Sequence, residues 1–125
     1  MSVLVDSSVW IEYFRGGNVI DAMDWLIDEN LIVTNDLVLA EILPPLHIKR
    51  QHALVSLLGE IPLLPLEIDW KGIVQLQVKC LANGINKVGV PDLIIAQNAM
   101  QKSATLFSLD KHFRLLAGLV PLSLH

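Results

Sequence analysis

This chain is poor in cysteine, in aromatic residues and in basic charge, and each shortage argues against a class of protein. Cys80 is the only cysteine in 125 residues, which excludes a disulfide framework and predicts a reducing, cytoplasmic compartment. We expect its thiol to be buried as a small apolar group. Aromatic residues make up 6% of the chain and form no ladder for stacking on nucleic-acid bases. The net charge is −4, from 9 basic and 13 acidic residues, whereas nucleic-acid-binding domains are usually basic.

Long apolar runs and targeting features are also missing. Hydrophobic residues make up 53% of the chain, but the longest uncharged run is Leu115–His125, which is shorter than the roughly 20 residues that span a bilayer. The first residues have no basic region and no cleavage site, so no signal peptide and no membrane association are expected. The excess apolar residues therefore belong in a core or in a partner interface.

Short β-rich segments alternate with helical patterns along the chain, which predicts an α/β fold with a central parallel sheet between helix layers, a three-layer α/β/α sandwich. We expect one domain over residues 1–125. Strands are predicted at Ser2–Val5, Leu31–Val33, Ile61–Leu66, Ala104–Leu109 and Val120–Leu124. Helices are predicted at Ser7–Arg15, Val19–Glu29, Asp36 to about Leu43, Leu46–Leu58, Ile68–Leu81, Asp92–Lys102 and Lys111–Ala117. Thr34 or Asn35 is expected to cap the third helix, and Pro44-Pro45 to end or kink it.

Four carboxylates occupy related places in this pattern. Asp6 and Asp110 follow strands, Asp92 begins a helix after Pro91, and Glu41 lies inside the helix that follows LIVT. Ligands of parallel sheets gather at the carboxyl ends of the strands, so Asp6 and Asp110 are expected near one edge. Each residue alone also has a structural explanation: Asp6 and Asp110 can cap helices, Asp92 can complement a helix dipole, and Glu41 can lie on an exposed helix face.

A cluster of carboxylates needs a compensating cation, because like charges at close range otherwise favour protonation. Mg²⁺ and Mn²⁺ prefer such oxygen ligands, and proteins use them most often in phosphoryl chemistry. Zinc is not expected, since His47 and His52 are not spaced as a helical zinc pair and there is no second cysteine.

Four segments, VLVDSSVWIEYFRG, VLAEIL, VPDLIIAQNA and LFSLDKHF, resemble in order and spacing the acidic motifs of PIN-domain ribonucleases. The closest resemblance is to the VapC-type toxins of toxin–antitoxin pairs. It implies a metal-dependent endoribonuclease that uses Mg²⁺ or Mn²⁺, cleaves RNA, forms a homodimer and is the toxin of a type II system with a cognate antitoxin.

Carried over to this chain, the resemblance implies that Asp6, Glu41, Asp92 and Asp110 are the catalytic, metal-binding carboxylates and that Ser8 is a supporting hydroxyl. The family often has a further acidic residue before the phenylalanine of the last motif, and here that position is His112.

Several interpretations of the surface stay open. The basic residues near the motifs contact the RNA backbone or are simply solvated; they are Arg15, Lys87, Lys111 and Arg114. Two predicted helices carry apolar side chains that either line a groove for an antitoxin helix or belong to the core or a dimer contact. One helical region has Trp10, Phe14, Ile20 and Met23, and the other has Leu37–Leu43.

The alternative functions are a housekeeping PIN-domain nuclease without an antitoxin, a receiver-type phosphoacceptor domain, and a binding module without catalysis.

Overall fold

A three-stranded parallel sheet with the order β2-β1-β3 forms the centre of the computed structural model, which describes residues 1–125. The strands are β1 (Val3–Val5), β2 (Ile32–Val33) and β3 (Thr105–Phe107). The helices are α1 (Ser7–Phe14), α2 (Ile20–Asp28), α3 (Asp36–Ile48), α4 (His52–Gly59), α5 (Trp70–Ala82), α6 (Val90–Gln101) and α7 (Lys111–Ala117). The predicted α/β/α sandwich is confirmed.

Strand β1 is the central strand of the sheet and pairs with both β2 and β3. Leu4 pairs with Val33 on one side and with Leu106 on the other, both in parallel. All of β1 is buried, as expected for a strand whose two faces are covered by helices. The carboxyl ends of the three strands therefore meet at one edge, directly before α1, α3 and α7.

Two predicted strands shrink to isolated bridges. In the segment 61–66 only Leu63 pairs, with Thr34, and in the segment 120–124 only Leu124 pairs, with Leu106. Pro62 and Pro65 flank the first bridge and have no N–H to donate, so a longer ladder cannot form there.

Helix α3 continues through Pro44 and Pro45 to Ile48, so of the two predicted effects of these prolines, an end or a kink, the end is wrong. The two rings lie on the exposed side of the helix, so the carbonyls that lose an N–H partner can reach water. Buried Ile42 and Leu46 anchor the helix on either side of them. The break comes at Arg50, which has a φ of +54°, so the helix predicted from Leu46 to Leu58 is divided between α3 and α4.

Other local predictions hold. Gly16, with a φ of +77°, ends α1 in the left-handed conformation that glycine adopts most readily. Asn35 caps α3 by accepting a hydrogen bond from the Val38 N–H at 2.8 Å. Cys80 is fully buried within the hydrophobic core. None of the helices combines the length and the apolar character that crossing a bilayer would require.

Candidate metal centre

Asp6 is a buried carboxylate at the end of the central strand. Its side chain and backbone are together only 5% exposed, and its N–H donates to the Phe107 carbonyl at 2.9 Å. Asp6 precedes α1 but makes no capping hydrogen bond to that helix, so the capping explanation for this residue is wrong. A carboxylate that is buried without a structural partner of opposite charge needs another explanation.

Two serine hydroxyls hold the Asp6 carboxylate. Ser8 Oγ and Ser108 Oγ each donate to Oδ2 of Asp6 at 2.8 Å. Ser8 Oγ also accepts from the Leu109 N–H at 3.1 Å, and Ser108 Oγ accepts from the Asp110 N–H at 3.0 Å. This network joins the start of α1 to the segment between β3 and α7, which fixes Asp6 relative to Asp110. Ser108 was not predicted; its signal in the sequence is a hydroxyl two residues before an expected site aspartate.

Asp92, Asp110 and His112 form a second group beside Asp6. Each offers one potential ligand atom within 4.8 Å of the others, and each is partly buried. Oδ1 of Asp110 lies 3.1 Å from Nδ1 of His112 and accepts the His112 backbone N–H at 2.9 Å. Asp110 therefore does cap α7, as its structural explanation predicted, while its carboxylate also faces the other two side chains.

Glu41 is carried to the same region by α3. Asn35, at the start of α3, donates from its side-chain amide to Oδ1 of Asn98 in α6 at 2.9 Å. This buried contact ties the helix that carries Glu41 to the helix that begins beside Asp92. Glu41 itself is exposed, as its alternative explanation predicted, and its carboxyl nevertheless lies close enough to the site to respond to the other charges.

Burial and neighbouring negative charges raise the pKa values of two of these carboxylates, Asp92 and Glu41. Burial raises the pKa of Asp92, and the negative charges of Asp110 and Asp6 raise it further, against smaller lowering effects of His112 and the Gly89 backbone. Partial burial likewise raises the pKa of Glu41, followed by the charges of Asp6 and Asp92. Asp6 and Asp92 therefore act electrostatically on Glu41, and Asp6 and Asp110 on Asp92, but only Asp92 and Asp110, with His112, have ligand atoms within 4.8 Å of one another.

This donor set fits a hard divalent cation. Carboxylate oxygens are the ligands that Mg²⁺ and Mn²⁺ prefer, and a cation would relieve the repulsion that raises the two pKa values. Both serines bind Oδ2 of Asp6, which leaves Oδ1 for another partner. Arg15, Lys87, Lys111 and Arg114 are all exposed and make no ion pair within the chain, so none of these four neutralises the group, and among the titratable side chains only His112 lowers the pKa of Asp92.

Comparisons with known proteins identify the family of this chain and solved structures with a similar fold. The model of the PIN domain family matches residues 3–119. A search of curated proteins finds no match.

Several solved structures are similar in fold at low identity. VapBC2 from Rickettsia felis, bound to a promoter DNA fragment, has a TM-score of 0.79 and 18% identity over 100% of this chain and 98% of that one. FitAcB from Neisseria gonorrhoeae has a TM-score of 0.72 and 22% identity over 98% and 96%. VapC20 from Mycobacterium tuberculosis, described as a toxin that cleaves the sarcin–ricin loop, has a TM-score of 0.63 and 17% identity over 98% and 99%.

Proposed function

The chain belongs to the PIN domain family, and from this premise we propose that it is a metal-dependent endoribonuclease, cytoplasmic, and the toxin of a type II toxin–antitoxin pair. Residues 1–125 would form one nuclease domain that hydrolyses RNA phosphodiester bonds. The observation that carries the proposal is the environment of Asp6, which is 5% exposed, caps no helix and shares one negative field with Glu41 and Asp92.

In this proposal Asp6, Glu41, Asp92 and Asp110 hold Mg²⁺ or Mn²⁺. When bound, such a cation would supply Lewis-acid chemistry that neutralises the phosphate oxygens and activates water for hydrolysis. Ser8 and Ser108 keep Oδ2 of Asp6 occupied and so orient its Oδ1 toward the ligand. The exposed cations Lys111 and Arg114 on α7 supply positive charge for the RNA backbone, which the overall charge of −4 does not.

The test is RNA cleavage by variants that remove one charge at constant volume. Asp6→Asn and Asp92→Asn should each lose most activity while keeping the wild-type circular dichroism spectrum, and so should Glu41→Gln and Asp110→Asn. Asp36→Asn is the matched control, because Asp36 is also in the first turn of a helix but is exposed and outside the cluster. EDTA should abolish wild-type activity, and Mn²⁺ or Mg²⁺ should restore it. Full activity in EDTA, or in Asp6→Asn and Asp92→Asn, contradicts the proposal.

We place the antitoxin in a groove of about 320 Å³ between α1, α3 and α4. Its apolar lining includes Ile11, Phe14, Ile42 and Leu54, and Arg15 and Lys49 lie at its rim. Trp10 and Met23 are fully buried core residues, so for these two the alternative of a core position, which the sequence left open, is confirmed. Pro45 also lines the groove and lies one helical turn after Glu41 on the same side of α3, so a partner segment in the groove can send a basic residue to the carboxylates.

Co-expression tests this placement. A co-purified antitoxin should suppress cleavage and protect residues 10–54 from hydrogen exchange, and Phe14→Asp should release it. An inhibitory complex that protects only residues 115–125 would contradict the groove while leaving the nuclease intact.

We propose that the homodimer forms through α5. Trp70, Val74, Val78 and Leu81 lie on one face of this helix and are 60%, 61%, 60% and 57% exposed. When the helix is reversed, Trp70 falls opposite Leu81 and Val74 opposite Val78, so two copies are complementary about a two-fold axis.

Three alternative functions were open from the sequence, and one of them is now excluded. The receiver-type interpretation is wrong, because the chain belongs to the PIN domain family. A housekeeping PIN-domain nuclease would have the same active site and no inhibitory partner, and a neighbouring small open reading frame distinguishes the two. A binding module without catalysis would show no turnover in the cleavage assay at any metal concentration.

A further inference from the structure

His112 is the one histidine that belongs to the acidic cluster. Its potential ligand atom and those of Asp92 and Asp110 all lie within 4.8 Å of one another. The side chain is 24% exposed, so it is held in the site and does not extend freely into solvent. The other histidines, His47, His52 and His125, are all exposed and belong to no such group.

The imidazole is positioned before any ligand arrives. Asp110 Oδ1 accepts the backbone N–H of His112 at 2.9 Å and lies 3.1 Å from its Nδ1. This contact holds the imidazole against the carboxylate of Asp110, which is itself one of the proposed ligands. Ligand atoms of one ion lie about 3–4 Å apart, given bonds of about 2.1 Å, so small side-chain rotations would bring the three atoms to a shared ion.

We propose that His112 is a ligand of the divalent cation and biases the site toward Mn²⁺ and other imidazole-binding transition metals over Mg²⁺. The inference rests on the proposed metal-dependent function, and extends it from four carboxylates to a mixed set of oxygen and nitrogen donors. Imidazole suits transition metals, whereas Mg²⁺ takes oxygen ligands and retains its water. His112 stands where the family often has a further acidic residue, and in this proposal it sets the metal preference.

The experiment measures binding without turnover. Mn²⁺ is titrated into the wild-type protein and followed by electron paramagnetic resonance, and Mg²⁺ affinity is obtained by competition. Bound Mn²⁺ should show nitrogen hyperfine coupling in the wild type and none in His112→Gln or His112→Asp. His112→Gln should weaken Mn²⁺ binding by about tenfold or more with a smaller effect on Mg²⁺, and His112→Asp should shift the preference toward Mg²⁺. His52→Gln is the matched control for a surface histidine and should behave as wild type.

The outcomes separate this inference from the function on which it rests. If wild-type protein binds Mn²⁺ without nitrogen coupling, or if His112→Gln keeps the wild-type ratio of Mg²⁺ to Mn²⁺ affinity, His112 is not a ligand, although the four-carboxylate site stands. If neither cation binds the wild type at millimolar concentration, the metal-dependent function itself is overturned.

Discussion

Asp92→Asn should stabilise the metal-free protein even though we expect it to abolish activity. The pKa of Asp92 is raised, first by burial and then by the charges of Asp110 and Asp6. A carboxyl with a higher pKa in the folded state than in the unfolded state binds protons more tightly when folded. Its favourable contribution is therefore complete below the unfolded pKa and is lost as the pH rises through the folded pKa. At neutral pH the ionised Asp92 opposes folding.

The size of the effect follows from the spacing of the charges. The ligand oxygens of Asp92 and Asp110 lie within 4.8 Å, where two unit charges repel by about 1 kcal/mol in water and about 3.5 kcal/mol at an effective dielectric constant near 20. Asp92 is partly buried, so we expect a gain of about 1–3 kcal/mol in the free energy of unfolding. For a domain of this size that corresponds to a rise in Tm of roughly 3–12 °C.

Thermal unfolding in EDTA at pH 7 measures this gain. Asp36→Asn removes a first-turn carboxylate outside the cluster and should change stability by less than about 0.5 kcal/mol. The advantage of Asp92→Asn should shrink toward pH 4, and added Mg²⁺ should raise the Tm of the wild type more than that of the variant. If Asp92→Asn is no more stable than Asp36→Asn in EDTA, the repulsion is not present in the folded protein.

Three further perturbations test separate parts of the structure. The pKa of Tyr13, the only tyrosine, is raised to about 12, chiefly because its hydroxyl donates a hydrogen bond to Asp24 at 2.6 Å. Ultraviolet titration should show this value, and Asp24→Ala should bring the pKa back toward 10. Ser108→Ala should reduce metal affinity by about 10–100-fold in a calorimetric titration, whereas unchanged affinity would make the network purely structural. Val74→Glu should convert a dimer to a monomer in light scattering, and a wild-type monomer at tens of micromolar would remove the α5 interface.

The sequence predicted well what depends on topology. Asp6 and Asp110 follow neighbouring parallel strands, and strand ends share one edge whatever the details of packing. Asp92 and Glu41 depend on helices whose starts lie at that same edge, and the structure brings both into the field of Asp6. Local chemistry narrowed the cap of α3 to Thr34 or Asn35, and the structure shows that it is Asn35.

Features that depend on packing were not predictable in this way. Helical spacing showed that Trp10 and Phe14 share a face of α1, but only the fold shows that Trp10 is fully buried while Phe14 lines the groove. The rule that proline ends a helix failed at Pro44 because buried Ile42 and Leu46 hold α3 in place, and tertiary contacts override local preference. Ser108 was missed because its role requires Asp6, which is 102 residues away.

The repulsion within the acidic cluster links stability, metal binding and inhibition. Without a ligand, burial and then the neighbouring negative charges raise the pKa values of Asp92 and Glu41, so their ionised carboxylates oppose folding. Either a divalent cation or a partner's arginine relieves that repulsion, so each should stabilise the fold and each should exclude the other. The proposed antitoxin would then inhibit by occupying the field that attracts the metal, and the metal-free protein without a partner should have the lowest Tm of the three states. Adding Mg²⁺ to the inhibited complex should leave its Tm unchanged, whereas a further rise would mean that the cation and the partner occupy different places.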